Sequence, residues 1–215
     1  MKTRDRIIDQ ARRLFNEHGY GAVTTAALAQ GCGIAEGNLW YHFKTKRALL
    51  DAIGERYAVA VEARLLHTPS GDPVAAYAAL LGALATELNE FRFLYRDQAH
   101  YGEHAAAIAR TAPAWFERSF VQVEAYLVAL VNAGLLDWPR ARLHDLATNI
   151  IFLLRYGLEH ARELGKPVGR GGGGLRRTLR RHLTLFDHAL DPAAADRLRS
   201  AIERIGDGEA IADAA

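Results

Sequence analysis

The stretch EGNLWYHFKTKRALL, residues 36–50, predicts a short amphipathic helix followed by the start of a longer one. Leu39 and Phe43 lie four residues apart and share one face of the short helix. Gly37 and Asn38 point away from that face, where a glycine lets a backbone approach closely and an amide can bond a base edge. This outward face is unusual for a solvated surface and favours contact with a DNA duplex.

A second short helix precedes this one. The segment TTAALAQ begins with Thr24 or Thr25 as its cap and ends at the turn Gly-Cys-Gly, residues 31–33. Periodic apolar residues predict an amphipathic helix over residues 3–19 before it and a long helix over residues 46–67 after it. Two short helices joined by a glycine-containing turn between longer helices are typical of a helix-turn-helix DNA-binding domain.

Composition sets the class of protein. The chain has 215 residues, half of them hydrophobic, which is enough for a buried core. Its single cysteine, Cys32, excludes a disulfide framework and a cysteine-rich metal site, and we expect it to be a buried small side chain. Charged residues at the start and the lack of a long apolar run predict a cytoplasmic protein without a membrane span. Residues 1–50 carry eight basic and four acidic side chains, a mild indication of a phosphate partner.

Residues 7–53 resemble the N-terminal domain of the TetR family of bacterial transcriptional regulators. The blocks ARRLFNEHGY, TTAALA, GNLWYHFKTK and ALLDAI follow one another at the family's spacing. The resemblance implies a three-helix DNA-binding domain, a long fourth helix as connector, an all-α ligand-binding and dimerisation domain, and a palindromic double-stranded DNA operator. It gives the expected domains as residues 1–50 and 51–206, followed by a fraying tail over residues 207–215.

The same resemblance assigns candidate DNA contacts. It places phosphate contacts at Thr25, at the start of the second helix, and at Lys46. The recognition-helix contacts it implies are Glu36, Gly37, Asn38, Trp40, Tyr41 and His42. Trp40 either packs inward or reaches the DNA backbone through its indole N–H. Ala26 stands where relatives place a base-reading arginine, and Glu36 suits DNA only if it accepts from a cytosine amino group.

The rest of the chain is predicted to be helical as well. Prolines and glycines separate apolar periodic segments, and the predicted helices cover residues 74–95, 115–136, 141–164, 175–190 and 192–205. No segment alternates as a strand would, so the expected fold class is all-α. No motif of a nucleotide-binding loop or a nucleophilic hydrolase occurs, so an enzyme is disfavoured and no cofactor is expected.

Aromatic residues are frequent in the middle of the chain. Most belong to the core by default, but a helical domain can also line a ligand pocket with them. The candidates for ligand binding are Tyr77, Phe91, Tyr95, Tyr101, Trp115, Phe116, Phe120 and Tyr126. The residues of the pattern His100, Glu103, His104 either bind a divalent ion or are ordinary polar groups, and no metal is predicted.

The last strong helices carry more apolar side chains than one small domain needs, so the sequence predicts a homodimer. The expected interface residues are Ile150, Leu154, Leu158, Leu179, Leu183 and Phe186. Together these expectations describe a homodimeric repressor that a small, largely apolar effector releases from its operator. The alternative is a DNA-binding regulator of the same fold without a small effector, either constitutive or controlled by a protein partner.

Overall fold

The computed structural model describes residues 3–96, 106–166 and 173–205, which form ten α-helices. The first five are α1 (Thr3–His18), α2 (Thr25–Cys32), α3 (Glu36–His42), α4 (Lys46–Leu65) and α5 (Pro73–Glu90). The next five are α6 (Arg92–Arg96), α7 (Ala106–Asn132), α8 (Leu143–Glu163), α9 (Gly174–Leu183) and α10 (Pro192–Arg204). The described residues contain no strand, only one isolated bridge between Leu136 and Leu190, so the prediction of an all-α fold is confirmed.

The chain divides into two compact units. Unit 1 comprises Met1–Glu62 and Glu90–Ala114, and unit 2 comprises Ala63–Asn89 and Trp115–Ala215. Unit 1 therefore includes residues that the sequence assigned to the C-terminal part of the chain. The functional boundary at residue 50 stays a prediction, and the proposed tail lies outside the described residues.

The core of unit 1 forms around the buried face of α1. Phe15 is fully buried and lies 5.2 Å from the ring of Tyr20 and 5.3 Å from the ring of Phe93, measured between centroids. Arg56 of α4 donates to Asp5 at 2.9 Å and to Asp9 at 2.6 Å, which joins α4 to the outer side of α1. Apolar burial and this double ion pair fix the helices that carry the N-terminal motif.

Unit 2 is built on a close approach between α8 and α9. A side chain at Gly157 would place its Cβ 2.5 Å from Cγ2 of Thr178, so only glycine allows the two helices to come this near. Tyr77 of α5 and Phe186 after α9 are both fully buried in this core. No helix among the described residues has both the length and the apolar content needed to cross a membrane.

The helix predicted over residues 74–95 is interrupted at Phe91, and the interruption has a tertiary cause. Asn16 of α1 donates to the carbonyl of Glu90 at 2.8 Å, and its amide oxygen accepts from the N–H of Phe93 at 3.0 Å. Arg12 donates to the same Glu90 carbonyl at 2.8 Å. Because side chains of α1 satisfy these backbone groups, the chain can leave the helix there without losing hydrogen bonds.

Two further predicted helix boundaries were wrong. The sequence predicts a helix that begins at residue 115, but the 27-residue α7 begins at Ala106 and contains Pro113 in its interior. The helix predicted over residues 175–190 ends at Leu183. Beyond it, the N–H of Phe186 bonds the carbonyl of Leu183 at 3.1 Å, a tight turn that carries the Phe186 ring into the core.

The apolar stripe expected to form a dimer interface is buried within the chain itself. Because α8 packs on α9, the stripe faces helices of its own chain and is not accessible to a second copy. All six expected interface residues are buried: Ile150, Leu154, Leu158, Leu179, Leu183 and Phe186. Their assignment to a subunit interface is therefore corrected to the core of unit 2.

Candidate nucleic-acid interface

Two local signals fix the turn between α2 and α3. Thr24 caps α2, because its hydroxyl accepts from the N–H of Ala27 at 3.2 Å. Gly33 ends the helix in the left-handed conformation with φ 64°, and the N–H of Ile34 then bonds the carbonyl of Ala29 at 3.0 Å. These bonds close α2 at both ends and set the direction in which α3 leaves.

The outward face of α3 is open and polar. Leu39 and Phe43 are buried and hold the helix on unit 1, whereas Tyr41 is 76% exposed. Glu36, Gly37 and Asn38 are exposed beside it, as the sequence predicted. A Cβ added at Gly37 would meet nothing within 4 Å, so no packing inside the chain explains a glycine there.

The other expected contacts are less exposed. Thr25 is the first residue of α2 and is half-buried, as are Trp40 and His42. The rings of Tyr41 and His42 meet edge to face with centroids 5.3 Å apart. The half-buried Trp40 combines a packed body with an accessible part, so both alternatives stated for it stay open.

Lys46, the last of the expected contacts, bonds groups of its own chain. Its ammonium donates to the carbonyl of Tyr20, and to the carbonyl of Val23 at 2.5 Å. It also lies 4.4 Å from the ring centroid of Tyr20. Burial lowers the pKa of Lys46 below its usual range. Lys46 is half-buried, so the phosphate contact implied for it stays a prediction.

The structure does not bring the eight aromatic ligand candidates together within one unit. Phe91 and Tyr95 belong to unit 1, where both contact Tyr57 of α4, and the Tyr57 and Tyr95 hydroxyls lie 2.9 Å apart. Five candidates belong to unit 2: Tyr77, Trp115 and Tyr126, which are buried, and Phe116 and Phe120, which are half-buried. The eighth, Tyr101, lies outside the described residues.

Sequence reasoning missed a buried polar cluster in unit 2. Arg64, 5% exposed, donates from Nε to Glu87 at 2.7 Å, from Nη1 to Gln122 at 2.7 Å and from Nη2 to Ser119 at 3.0 Å. The amide of Gln122 donates in turn to the carbonyls of Arg64 and His67. The available signal was spacing, since Arg64 falls seven residues after the buried Tyr57 on the same face of α4.

No group of three metal-ligating side chains occurs in the described ranges 3–96, 106–166 and 173–205. The pattern His100, Glu103, His104 lies outside them, so its role stays open. The described geometry instead defines a class: a helix-turn-helix protein with one polar helix face turned outward from a closed apolar scaffold.

Comparisons with known proteins identify the family. Residues 7–53 match the family described as "Bacterial regulatory proteins, tetR family", and residues 56–198 match "Bacterial transcriptional repressor". The chain belongs to the TetR family of bacterial transcriptional regulators, whose members are regulators and not enzymes.

Relatives place the similarity mainly in the N-terminal part. The tetracycline repressor protein class D of Escherichia coli is 50% identical over 50 residues, 23% of each chain. The HTH-type transcriptional regulator UidR of E. coli K12 is 41% identical over 51 residues, 24% of this chain and 26% of UidR. The matching region thus spans about a quarter of these relatives. A TetR-family regulator from Marinobacter aquaeolei VT8 shares the fold at 22% identity, with a TM-score of 0.75 and coverage of 96% of this chain and 100% of that one.

Proposed function

We propose that this chain is a homodimeric repressor that binds a palindromic operator and is released by a small effector. The observation that carries the DNA-binding part is the outward face of α3, which is polar, exposed and open at Gly37. A repressor of this kind acts on cytoplasmic DNA. The tetracycline repressor, a relative in the DNA-binding region, supports the direction of regulation.

Each residue of that face has a role suited to its chemistry. Asn38 reads a base edge, Gly37 admits the DNA backbone, and Tyr41 donates to a phosphate oxygen. The remaining proposed contacts are Thr25, Glu36, Trp40, His42 and Lys46. Thr25 stands at the N-terminus of α2, where free N–H groups favour an anion. Two copies of α3 would then enter major grooves about 34 Å apart.

Selection of DNA duplexes from a random pool tests the proposed sequence recognition by α3. The parent protein should enrich a palindrome whose half-sites are one helical turn apart, or a multiple of it. Asn38→Ala should change the preferred bases at symmetric positions, because a bidentate amide contact discriminates bases by about 1–3 kcal/mol. Enrichment of one identical sequence by both proteins would contradict base reading by Asn38.

We propose that the dimer surface is the exposed apolar part of α7 and α8. Phe152 and Tyr156, one turn apart on α8, are 52% and 55% exposed, and Val121 of α7 is also exposed. The Phe152 ring meets Phe120 edge to face with centroids 6.2 Å apart, which joins the two helices into one surface. A second copy would bury these large apolar groups, which a monomer leaves in water.

A glutamate placed separately at each of two positions distinguishes the proposed interface from the core of unit 2. Phe152→Glu should give a folded monomer, because it places a carboxylate in the proposed interface. Leu183→Glu should instead unfold unit 2, because it buries a carboxylate without a partner. Sedimentation measures the first effect and circular dichroism the second. A Phe152→Glu protein that stays dimeric at micromolar concentration would exclude this interface.

The effector is proposed to bind in unit 2 and to be largely apolar. Unit 2 supplies mostly apolar and aromatic side chains, and an apolar site with few polar groups suits a hydrophobic small molecule. Binding would favour a conformation with low DNA affinity, typically by 1–3 kcal/mol in such systems. The long helix α4 follows the recognition helix in the chain and carries Arg64 near its C-terminal end. We propose that α4 transmits the conformational change from the effector site to the recognition helix.

Reciprocity gives the test of this switch. Hydrophobic compounds are screened by thermal shift, and each hit is then titrated with and without operator DNA. The operator must weaken ligand binding by the same factor by which the ligand weakens DNA binding. Hits that bind with the same affinity in the presence and absence of operator would favour the alternative, a regulator of this fold that is constitutive or controlled by a protein partner.

A further inference from the structure

The first turn of α1 places an arginine against the end of the recognition helix α3. The Cζ atom of Arg4 lies over the ring of Phe43, 5.0 Å from the ring centroid. Phe43 directly follows His42, the last residue of α3, and its ring is buried in unit 1. Because a cation is attracted to the face of an aromatic ring, the buried ring gives the Arg4 guanidinium a defined position next to α3.

Arg4 can still bind a ligand in this position. The residue is exposed, and a guanidinium that lies over a ring face still directs N–H groups outward along its edge. Packing on Phe43 also restrains the long side chain before any ligand binds, which reduces the conformational entropy that a contact costs. A phosphate group, which accepts two parallel N–H bonds from a guanidinium, is the ligand that suits this arrangement.

The acidic residues of this part of α1 are directed to an internal base. Asp5 and Asp9 both accept from Arg56 of α4, at 2.9 Å and 2.6 Å. Arg6, in the same turn as Arg4, is exposed as well, but what distinguishes Arg4 is its measured contact with the end of α3. The first turn of α1 therefore presents positive charge next to the recognition helix.

We propose that Arg4 binds a phosphate of the operator and extends the DNA interface from α2 and α3 to the first turn of α1. The face of the guanidinium packs on Phe43, and its edge donates to a phosphate oxygen. Such a contact positions the protein on the duplex and carries no base specificity. This inference rests on the proposed DNA binding by α3.

The salt dependence of DNA affinity tests the contact. Phosphate binding is independent of sequence, so mixed-sequence double-stranded DNA is a sufficient probe. Arg4→Gln should reduce the slope of log K against log salt by about 1 per protomer. Arg13→Gln is the matched control, because it removes the same charge from an exposed position of α1 about 14 Å further along the helix. The control should keep the parent slope, and equal reductions by both variants would overturn a contact specific to Arg4.

The same variant separates a DNA contact from a packing role of Arg4. If the arginine only packs on Phe43, Arg4→Gln should lower the melting temperature and keep the parent slope. The proposal instead predicts a reduced slope with a melting temperature close to that of the parent. Arg4→Lys, which keeps a positive charge at this position, should retain the parent slope. The slope decides between the two roles.

Chemical modification of the unaltered protein gives an independent readout. Phenylglyoxal reacts with accessible arginines, and peptide mass spectrometry reports the reactivity of each one. Arg4 should react in the free protein and be protected in the complex with DNA, whereas Arg13 should react equally in both states. A complex in which Arg4 stays as reactive as in the free protein would overturn the proposal.

Two results separate failure of this inference from failure of the proposed function. An Arg4→Gln protein with the parent slope, in a chain that still selects a palindrome, would overturn the Arg4 contact alone. A folded parent protein that forms no complex with DNA at low salt would overturn both proposals.

Discussion

The two units use polar side chains in different ways. In unit 1, polar side chains bond mainly to backbone: Asn16 to Glu90 and Phe93, and Lys46 to Tyr20 and Val23. In unit 2, buried polar side chains bond backbone carbonyls too, but several of them also bond to one another. The Arg64 cluster and the pair of Tyr77 with His182, 3.2 Å apart, are its examples.

The two kinds of hydrogen bonding have different consequences for the two units. Side chains that satisfy backbone groups fix the paths of helices and leave the outer face of α3 for a ligand. Buried side chains that satisfy one another depend on every partner, because low dielectric makes an unpaired group costly. Unit 1 is therefore suited to present a fixed surface. Unit 2 contains buried charged and titratable groups that depend on their partners.

The largest expected effect comes from breaking the Arg64 cluster. Glu87→Ala leaves the guanidinium of Arg64 buried without its carboxylate, and should lower the free energy of unfolding by about 3–5 kcal/mol. Denaturant titration measures this loss. Arg197→Ala, which removes an exposed ion pair with Asp72 in the same unit, is the matched control and should change stability little.

A double substitution tests whether the unpaired charge of Arg64 causes this loss of stability. When Arg64 and Glu87 are both replaced by methionine, no unpaired charge remains, so the loss should be smaller than for Glu87→Ala. A single variant as stable as the parent would mean that the cluster does not depend on pairing.

The second effect is pH-dependent and belongs to His182. This side chain is fully buried, and its Nδ1–H donates to the carbonyl of Leu179, so Nε2 accepts from the hydroxyl of Tyr77. Burial lowers the pKa of His182 to about 4 from 6.5. The unfolded chain thus binds the proton more readily, and stability is complete above pH 6.5 and falls as the pH drops toward 4.

The expected loss below pH 4 is about 3 kcal/mol, an order-of-magnitude conversion of this shift. Urea unfolding at several pH values between 4 and 7.5 measures it. His182→Gln should be less stable at neutral pH, but it should have a flatter pH dependence in that window. An equally steep profile in the variant would assign the acid sensitivity to other groups.

A smaller effect is expected from the side-chain-to-backbone bonds of unit 1. Asn16→Ala leaves the buried N–H of Phe93 without the amide oxygen it donates to, which should cost about 1–3 kcal/mol. Hydrogen exchange of the Phe93 amide should become faster by a corresponding factor. Glu17→Ala, at the exposed neighbouring position of α1, is the control. Unchanged exchange at Phe93 would contradict the role given to Asn16.

Local signals made α1 to α4 predictable from sequence. Thr24, Gly33 and Thr45 act on backbone groups within four residues; the N–H of Ala48, for example, donates to the Thr45 hydroxyl at 3.0 Å. The outward face of α3 also followed from helical periodicity. The family blocks added a functional interpretation that periodicity alone does not provide.

What sequence could not predict depends on distant contacts. The interruption at Phe91 depends on Asn16, 75 residues away, and the Lys46 ammonium bonds two carbonyls more than twenty residues before it. The sequence predicts a subunit interface for the stripe on α8, because it does not show that α9 packs against that stripe. Apolar periodicity shows that a face is buried but not against what.

The central claim is that the outer face of α3 contacts DNA, and Gly37 tests it most directly. Gly37→Leu should leave the fold intact, because its Cβ meets nothing within 4 Å, and should reduce affinity for the selected operator by tenfold or more, an order-of-magnitude expectation. Gly82→Leu, equally open on α5, should leave operator affinity unchanged. A Gly37→Leu protein that binds operator with the parent's affinity would contradict the claim.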